Sequence, residues 1–327
     1  MPRIHPGTLL KVLPLICFFV FLIYMSACNI EQYCPPCSRA ESDNQMKKEP
    51  PKSMSKRQET FLAVMIMTGP KNIERRNTIR QTWLLNHRRD VMPRFVIGIE
   101  GLNLMEREQL EIEQSEHGDL LLLPTLQDAY NKLTEKLLKM YIWLDQNVNF
   151  TFVLKADDDT FARLDIIVSE LHTMHPAVVY WGFFDGRAMA KKRGKWAEED
   201  WKLCDRYLPY ALGGGYILSH DLVHFVARNS DYLKLYNNED VSLGVWLAPV
   251  EINRIHDTRF NTEYLSRGCN NGYIVTHKQT IQDMFENQKQ LTMHNRLCER
   301  EVQLRKSYLY NWDKLPSACC PREVGIP

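Results

Sequence analysis

Short apolar runs alternate with amphipathic segments along residues 59–327, and this pattern is typical of an α/β protein. Four runs read as buried strands: FLAVMIM (61–67), RFVIGI (94–99), DLLLL (119–123) and TFVLKA (151–156). The segments 72–86, 104–116 and 126–147 carry apolar residues at helical spacing and lie between those runs. Strands that are apolar throughout and separated by helices predict a mostly parallel central sheet.

The N-terminal pattern differs, because residues 12–27 read VLPLICFFVFLIYMSA and contain no charge. Arg3 and Lys11 precede this run, which predicts a signal anchor over 12–28, a cytoplasmic tail over 1–11 and a single-pass type II topology. The alternative is a signal peptide cleaved near residues 26–28.

Residues 29–58 are polar, contain prolines and show no periodicity, so they predict a flexible stem. The remaining residues, 59–327, then form one luminal domain. Five of the nine cysteines lie in the C-terminal half of the chain, and in an oxidising lumen we expect some of them to pair. Asn149 begins the glycosylation motif Asn-Phe-Thr, which suits a luminal protein.

Composition and motifs argue against several functions. The formal net charge of +1 argues against binding to nucleic acid. The phosphate-binding patterns GxGxxG and GxxxxGK[ST] do not follow the early strands, which weakens a dehydrogenase or kinase interpretation.

The candidate chemistry begins at LKADDD, where three carboxylates follow a buried strand. Ligands of open α/β sheets bind beyond the carboxyl ends of the strands. Alternation in extended backbone directs Asp157 and Asp159 to one side and Asp158 to the other. Two carboxylates held together call for a cation, and oxygen ligands suit Mg²⁺ or Mn²⁺. The alternative is a solvated turn that caps the helix starting near Arg163.

Six motifs in order resemble the β-1,3-glycosyltransferase family, which includes galactosyltransferases, N-acetylglucosaminyltransferases and the Fringe enzymes. They are ERRNTIRQTW, RFVIG, EHGDLLLLP, LKADDD, YLPYALGGGY and NEDVSLG. A closer resemblance, carried by RGCNNGYIVTHKQ, LCEREVQLRKSY and the terminal Cys-Cys-Pro, is to members that build the linkage tetrasaccharide of proteoglycans.

The resemblance implies a GT-A fold, a Golgi membrane location, a UDP-galactose donor, Mn²⁺ and inverting β-1,3 transfer to galactosyl-xylosyl-protein. Other linkage-region glycosyltransferases would be possible partners. Two alternatives stay open. One is transfer of N-acetylglucosamine, or of galactose to another acceptor, and the other is a catalytically silent luminal sugar-binding protein.

Roles for individual residues follow from the same resemblance. Asp159 and His277 would bind the metal, with His256 as the competing histidine. Asp157 and Asp158 would contact the donor. Asp240 is the candidate catalytic base, and we expect the start of a helix to lower its pKa and keep it ionised.

Further residues are candidates for substrate contacts. Arg76 and Arg80 share a helix face and would bind the donor, unless they pair with a strand-end acid such as Asp128. The substrate candidates are Glu239, Trp181, Tyr207, Gly214 and Gly215. Glycines at 213–215 would let backbone approach a sugar, and the two aromatic rings would stack on the acceptor.

Overall fold

The computed structural model describes residues 57–174 and 178–327. The predicted tail, the predicted anchor and the stem up to residue 56 lie outside these residues. Within the described ranges, no helix has both the length and the apolar character needed to cross a membrane.

The strands found in this part of the chain are β1 (Gln58–Met67), β2 (Val91–Gly98), β3 (Leu120–Leu123), β4 (Val148–Asp157), β5 (Phe161–Ala162), β6 (Val179–Asp185), β7 (Tyr210–Ser219), β8 (Asn253–His256), β9 (Phe260–Asn261), β10 (Gly268–Cys269), β11 (Val275–Thr276) and β12 (Val302–Gln303). Seven of them form the central sheet in the order β3-β2-β1-β4-β7-β6-β8. Within it, β7 pairs antiparallel with both of its neighbours, and the other pairings are parallel. The mostly parallel sheet predicted from the sequence is therefore confirmed.

The α-helices in the same ranges are α1 (Ile73–Gln81), α2 (Leu104–His117), α3 (Leu133–Asn147), α4 (Leu164–Thr173), α5 (His220–Arg228), α6 (Glu239–Trp246) and α7 (Ile281–His294). Helix α2 shows how the local sequence determines where a helix begins and ends. Asn103 and Glu106 form a reciprocal capping box at its start, and Gly118 adopts a left-handed conformation just after it. Helix α3 begins later than predicted, because residues 130–132 form a 3-10 turn instead.

Strand β1 lies at the centre of the core. Residues 62–66 are all 0% exposed, since β2 and β4 pair with the strand on either side and helices cover both faces of the sheet. This burial holds the ends of β1 and β4 in a fixed relation, which matters for the site described below.

Two smaller sheets and two disulfides organise the C-terminal part. The three-stranded sheet has the order β5-β11-β9, and the two-stranded sheet joins β10 to β12. Disulfides link Cys269 to Cys298 and Cys319 to Cys320, so the expectation that C-terminal cysteines pair is confirmed. Among the cysteines in the described ranges, Cys204 has a free and exposed thiol.

Candidate active site

The site lies where the order of the strands reverses. Strand β1 has β2 on one side and β4 on the other, and Met67 at the end of β1 pairs with Asp157 at the end of β4. A crevice opens at such a switch point beyond the carboxyl ends of the strands. The three consecutive aspartates therefore stand at the position where α/β sheets bind ligands.

Asp157, Asp159 and His277 come together in this crevice. The Nε2 atom of His277 is 2.8 Å from Oδ1 of Asp159 and 3.4 Å from Oδ2 of Asp157. Strand β11 positions the histidine, because it pairs with β5 immediately after the aspartates. The carbonyl of Asp159 also accepts a hydrogen bond from the backbone N–H of Gln279 at 2.8 Å.

This cluster has the chemistry of a divalent-cation site. One ligand atom from each of the three residues lies within 4.8 Å of the others, and the set combines two carboxylates with one imidazole. Burial lowers the pKa of His277, but the two aspartates outweigh it and raise that pKa to about 9. A proton on the His277 imidazole thus supplies the positive charge that a metal ion would supply. Two carboxylates and one imidazole are donors that fit Mn²⁺.

Asp158 points away from the other two aspartates, as the alternation of extended backbone predicts. Its Oδ2 atom accepts hydrogen bonds from Thr68 Oγ1 and Asn72 Nδ2, both at 2.7 Å. Arg75 donates to the Asp158 carbonyl at 3.4 Å. Arg75 was not singled out from the sequence, although it stands next to Arg76 in the same motif.

Lys155 connects the aspartates to a second acidic group. Its side chain is 1% exposed, and its Nζ atom lies 2.8 Å from Asp157 Oδ1 and 2.9 Å from Glu239 Oε1. It also donates a hydrogen bond to the Gly213 carbonyl. Burial disfavours the ammonium, but the charges of Asp157 and Glu239 hold the pKa of Lys155 above its usual range. Sequence reasoning missed this residue as part of the site.

Asp240 is the second residue of helix α6 and follows Glu239. Its Oδ2 atom accepts a hydrogen bond from the Gly213 N–H at 2.9 Å, and its Oδ1 atom accepts one from the Val241 N–H at 2.8 Å. Burial of the carboxyl and then the negative charge of Glu239 raise the pKa of Asp240 to about 8. The expectation that the helix start lowers this pKa is wrong, because desolvation and the neighbouring carboxylate outweigh the two N–H donors.

The three glycines of β7 lie between these two groups. A Cβ atom on Gly213 would stand 2.4 Å from Glu239 Oε1, and one on Gly214 would stand 2.5 Å from the His277 ring. A Cβ atom on Gly215 would stand 2.8 Å from Val275 Cγ1. Protein side chains thus fill the space that the glycines leave, which corrects the expectation that Gly214 and Gly215 open it to a sugar.

The guanidinium groups of Arg76 and Arg80 form ion pairs with acidic side chains of the same domain. Arg76 is 0% exposed and binds both carboxylate oxygens of Glu113 at 2.7 Å. Arg80 binds both carboxylate oxygens of Asp119 at 2.8 Å. The expected donor contacts are therefore corrected to ion pairs, as in the alternative considered. The partners are Glu113 and Asp119, because Asp128 pairs with Lys136 instead.

The two aromatic substrate candidates are also buried, and the competing histidine, His256, is half-buried. Trp181 is 1% exposed and donates its indole N–H to Asp257, and Tyr207 is 4% exposed and packs against Trp201. Neither ring is available to stack on a sugar in this structure. His256 has one ring nitrogen at the Phe184 N–H and the other at the Tyr308 carbonyl, and burial lowers its pKa to about 4. Its role is structural, and it does not join the aspartates.

Comparison with known proteins identifies the family of this chain. Residues 74–258 match the Galactosyltransferase family, and the chain belongs to that family. It is a close homologue of β-1,3-galactosyltransferase 6 of Mus musculus, with 52% identity over 313 residues, which is 94% of this chain and 92% of that protein. The resemblance predicted from the motifs is therefore confirmed.

Two more distant similarities are to other sugar transferases. The UDP-GalNAc:β-1,3-N-acetylgalactosaminyltransferase 2 of Xenopus laevis is 32% identical over 189 residues, which is 57% of this chain and 38% of that protein. A mannosyltransferase structure from Pyrobaculum calidifontis, in complex with GDP-Man and Mn²⁺, aligns with a TM-score of 0.36 and 12% identity, over 60% of this chain and 54% of that one.

Proposed function

We propose that this protein transfers galactose from UDP-galactose, with inversion, to the 3-hydroxyl of the galactose in galactosyl-xylosyl-protein. The supporting observation is the pair of acidic groups on either side of the glycine strand, with Asp157, Asp159 and His277 on one side and Asp240 on the other. An inverting displacement needs a neutralised leaving group and a base, and this arrangement offers both within one crevice. The proposed fold type is GT-A.

The donor would lie over the carboxyl ends of β1, β2 and β4. A cleft of about 340 Å³ opens there, lined in part by Gly69, Asn72, Glu100 and Asp128. Asn72 also contacts Asp158, so the cleft adjoins the aspartates. Arg75 donates a hydrogen bond to the Asp158 carbonyl and is our candidate for the diphosphate contact, in place of Arg76 and Arg80.

Asp157, Asp159 and His277 would hold Mn²⁺, which when bound supplies positive charge for the departing diphosphate. Asp240 accepts the proton of the acceptor hydroxyl as that oxygen forms its bond to the anomeric carbon. The bond from the anomeric carbon to UDP breaks, and UDP leaves with the electron pair. A base with a pKa near 8 is well matched to this proton transfer.

The acceptor would lie against the exposed rings of Tyr130 and Trp196 rather than against Trp181 or Tyr207. These rings are 39% and 38% exposed. The Trp196 carbonyl accepts a hydrogen bond from Asn238, and Asn238 in turn binds the buried carboxylate of Glu198 at 2.7 Å through its backbone. The loop that carries Trp196 is thus fastened next to Glu239 and Asp240.

In this proposal the luminal domain is held in the Golgi membrane by the anchor at residues 12–28, through a stem at 29–58. Asn149 is exposed near the start of β4, at the opposite end of that strand from Asp157, so a glycan there would not obstruct the crevice. Cleavage of residues 12–28 as a signal peptide would release the luminal domain and would contradict the anchor. The presence and size of any protein secreted from expressing cells distinguish the two.

The decisive experiment incubates the full chain with Mn²⁺, a galactosyl-xyloside and UDP-galactose, UDP-N-acetylglucosamine or UDP-N-acetylgalactosamine in turn. We expect a β-1,3-linked product with UDP-galactose alone, and loss of it with a chelator. Asp240→Asn should abolish transfer while UDP still binds, whereas Asp231→Asn, at an exposed acid away from the crevice, should have no effect. Product from another donor would change the sugar, and binding without product would favour the silent sugar-binding protein.

A further inference from the structure

A second group of metal-binding side chains lies at the other end of β4. It consists of Asp145 in the last turn of α3 and of His220 and His224 on α5. His220 and His224 are four residues apart, so they share one face of their helix. Helices α3 and α5 pack together, and this packing directs both imidazoles toward the Asp145 carboxylate.

The distances between Asp145 and the two histidines are short enough that small side-chain movements would let all three bind one ion. Oδ1 of Asp145 is 2.7 Å from Nδ1 of His224 and 4.0 Å from Nε2 of His220. The two imidazole rings are nearly parallel, with an interplanar angle of 19°. One ligand atom from each of the three residues lies within 4.8 Å of the others.

The environment of Asp145 indicates a cationic ligand. The residue is 9% exposed, and His224 is its one hydrogen-bond partner among the described residues. A carboxylate that is so largely removed from water is costly unless a cation compensates it. The two histidines remain partly exposed, so an ion can reach the carboxylate from solvent.

His220 has the supporting contacts of a metal ligand. Its Nδ1 atom faces Oδ1 of Asp221 at 3.7 Å, and the edge of its ring packs against Phe150 with centroids 5.1 Å apart. Imidazoles that bind metals commonly direct their second nitrogen at a carboxylate, which orients the ring and increases its basicity. A small movement of the Asp221 side chain would bring its carboxylate within hydrogen-bond distance of His220 Nδ1.

We propose that Asp145, His220 and His224 bind Zn²⁺, with water completing a tetrahedral site. Two imidazoles and one carboxylate are typical zinc donors, and histidines at this spacing on one helix bind zinc in metalloproteases. The donors in the crevice, two carboxylates and one imidazole, suit the harder Mn²⁺ better. The ten residues of β4 separate the two sites by about 30 Å, so the zinc would clamp α3 to α5 and take no part in transfer.

The test measures binding of Zn²⁺ alone by calorimetry, on the full chain carrying Asp159→Ala, so that the crevice lacks one of its three candidate ligands. We expect one Zn²⁺ per chain and a rise in the unfolding temperature on binding. Adding His220→Gln should weaken binding by about 100-fold or more, since even loss of a supporting carboxylate costs about 10–100-fold. His294→Gln, at the exposed end of α7, is the matched control and should change nothing.

Three further measurements test the same site. The single variant His220→Gln should still transfer galactose, which verifies its fold. Asp221→Asn leaves all three ligands in place and should weaken Zn²⁺ binding by about 10-fold. Co²⁺ should give the intense visible absorption of a tetrahedral site, and His224→Gln should abolish it. Absence of binding, or equal affinity in the His220 and His294 variants, would overturn the proposal.

Discussion

Replacing Lys155 by Met tests whether one buried ammonium holds the two acidic groups of the crevice together. The change keeps most of the side-chain volume but removes the charge that contacts Asp157 and Glu239. Removing one partner of a buried ion pair typically costs about 3–5 kcal/mol, because the other partner remains buried and uncompensated. Glu239 loses its ionic partner here, whereas Asp157 keeps its contact with His277 and is partly exposed, so we expect a loss at the lower end of that range.

The dependence on metal makes this prediction specific. Mn²⁺ held by Asp157, Asp159 and His277 would compensate the charge of Asp157, whereas Glu239 is not one of those three residues, so the ion should restore part of the lost free energy of unfolding. Lys136→Met is the matched control, since Lys136 is also 1% exposed but pairs with Asp128 outside the cluster. Its loss of stability should be the same with and without Mn²⁺.

The assay is urea unfolding of the wild-type chain and both variants, each with and without Mn²⁺, together with kcat/KM for transfer. Lys155→Met should lower kcat/KM by about 100-fold or more, because misplacement in an active site by about 1 Å costs that much. Equal destabilisation of Lys155→Met with and without Mn²⁺ would refute the bridging role. Wild-type kcat/KM in this variant would refute the positioning role.

Three other predictions concern the crevice. Gly214→Ala should weaken Mn²⁺ binding by at least about 10-fold, because the added Cβ atom would stand 2.5 Å from the His277 ring, and calorimetry against a Gly272→Ala control measures this. In the metal-free protein His277 has a pKa of about 9, so Mn²⁺ must displace a proton from the imidazole below that pH. The affinity for Mn²⁺ should therefore rise by up to about tenfold per pH unit until pH 9 and then level off. An affinity that does not change between pH 6 and pH 8 would contradict His277 as a ligand. The raised pKa of Asp240 favours the folded state below the pKa of the unfolded carboxyl, near 4, and this contribution is lost as pH rises through about 8. Asp240→Asn should therefore melt at a higher temperature than wild type at pH 8 and at about the same temperature at pH 4, although we expect it not to transfer galactose. A lower melting temperature of this variant at pH 8 would show that the ionised carboxylate does not destabilise the folded state.

Local patterns predicted the parts of the site that depend on neighbours along the chain. The period of two in extended backbone predicted that Asp158 diverges from Asp157 and Asp159, and the structure shows this divergence, although β4 ends at Asp157 and residues 158–159 form a turn. The buried strands and the intervening helices were predictable for the same reason. The antiparallel course of β7 was not predicted, because an apolar run does not reveal its direction in a sheet.

Contacts between distant segments were beyond the reach of the sequence. Lys155 meets Glu239 across 84 positions, and Arg76 meets Glu113 across 37. Helical spacing correctly put Arg76 and Arg80 on one face, but it could not show whether that face meets the donor or α2. The sequence likewise could not show whether Trp181 packs in the core or contacts the acceptor, because an aromatic residue in a strand is compatible with both roles.

The glycine triplet of β7 also has a genetic consequence. Any single-base change that alters the amino acid encoded by a glycine codon either introduces a side chain or ends translation. At Gly213 and Gly214 a new side chain would meet Glu239 or His277 at less than contact distance. Missense alleles at these two codons should therefore displace Glu239 or His277 and lower the activity per molecule of protein. Alleles that shorten the buried side chains of β1 would instead mainly reduce abundance, so protein level and activity measured together in cells that express each allele would separate the two classes.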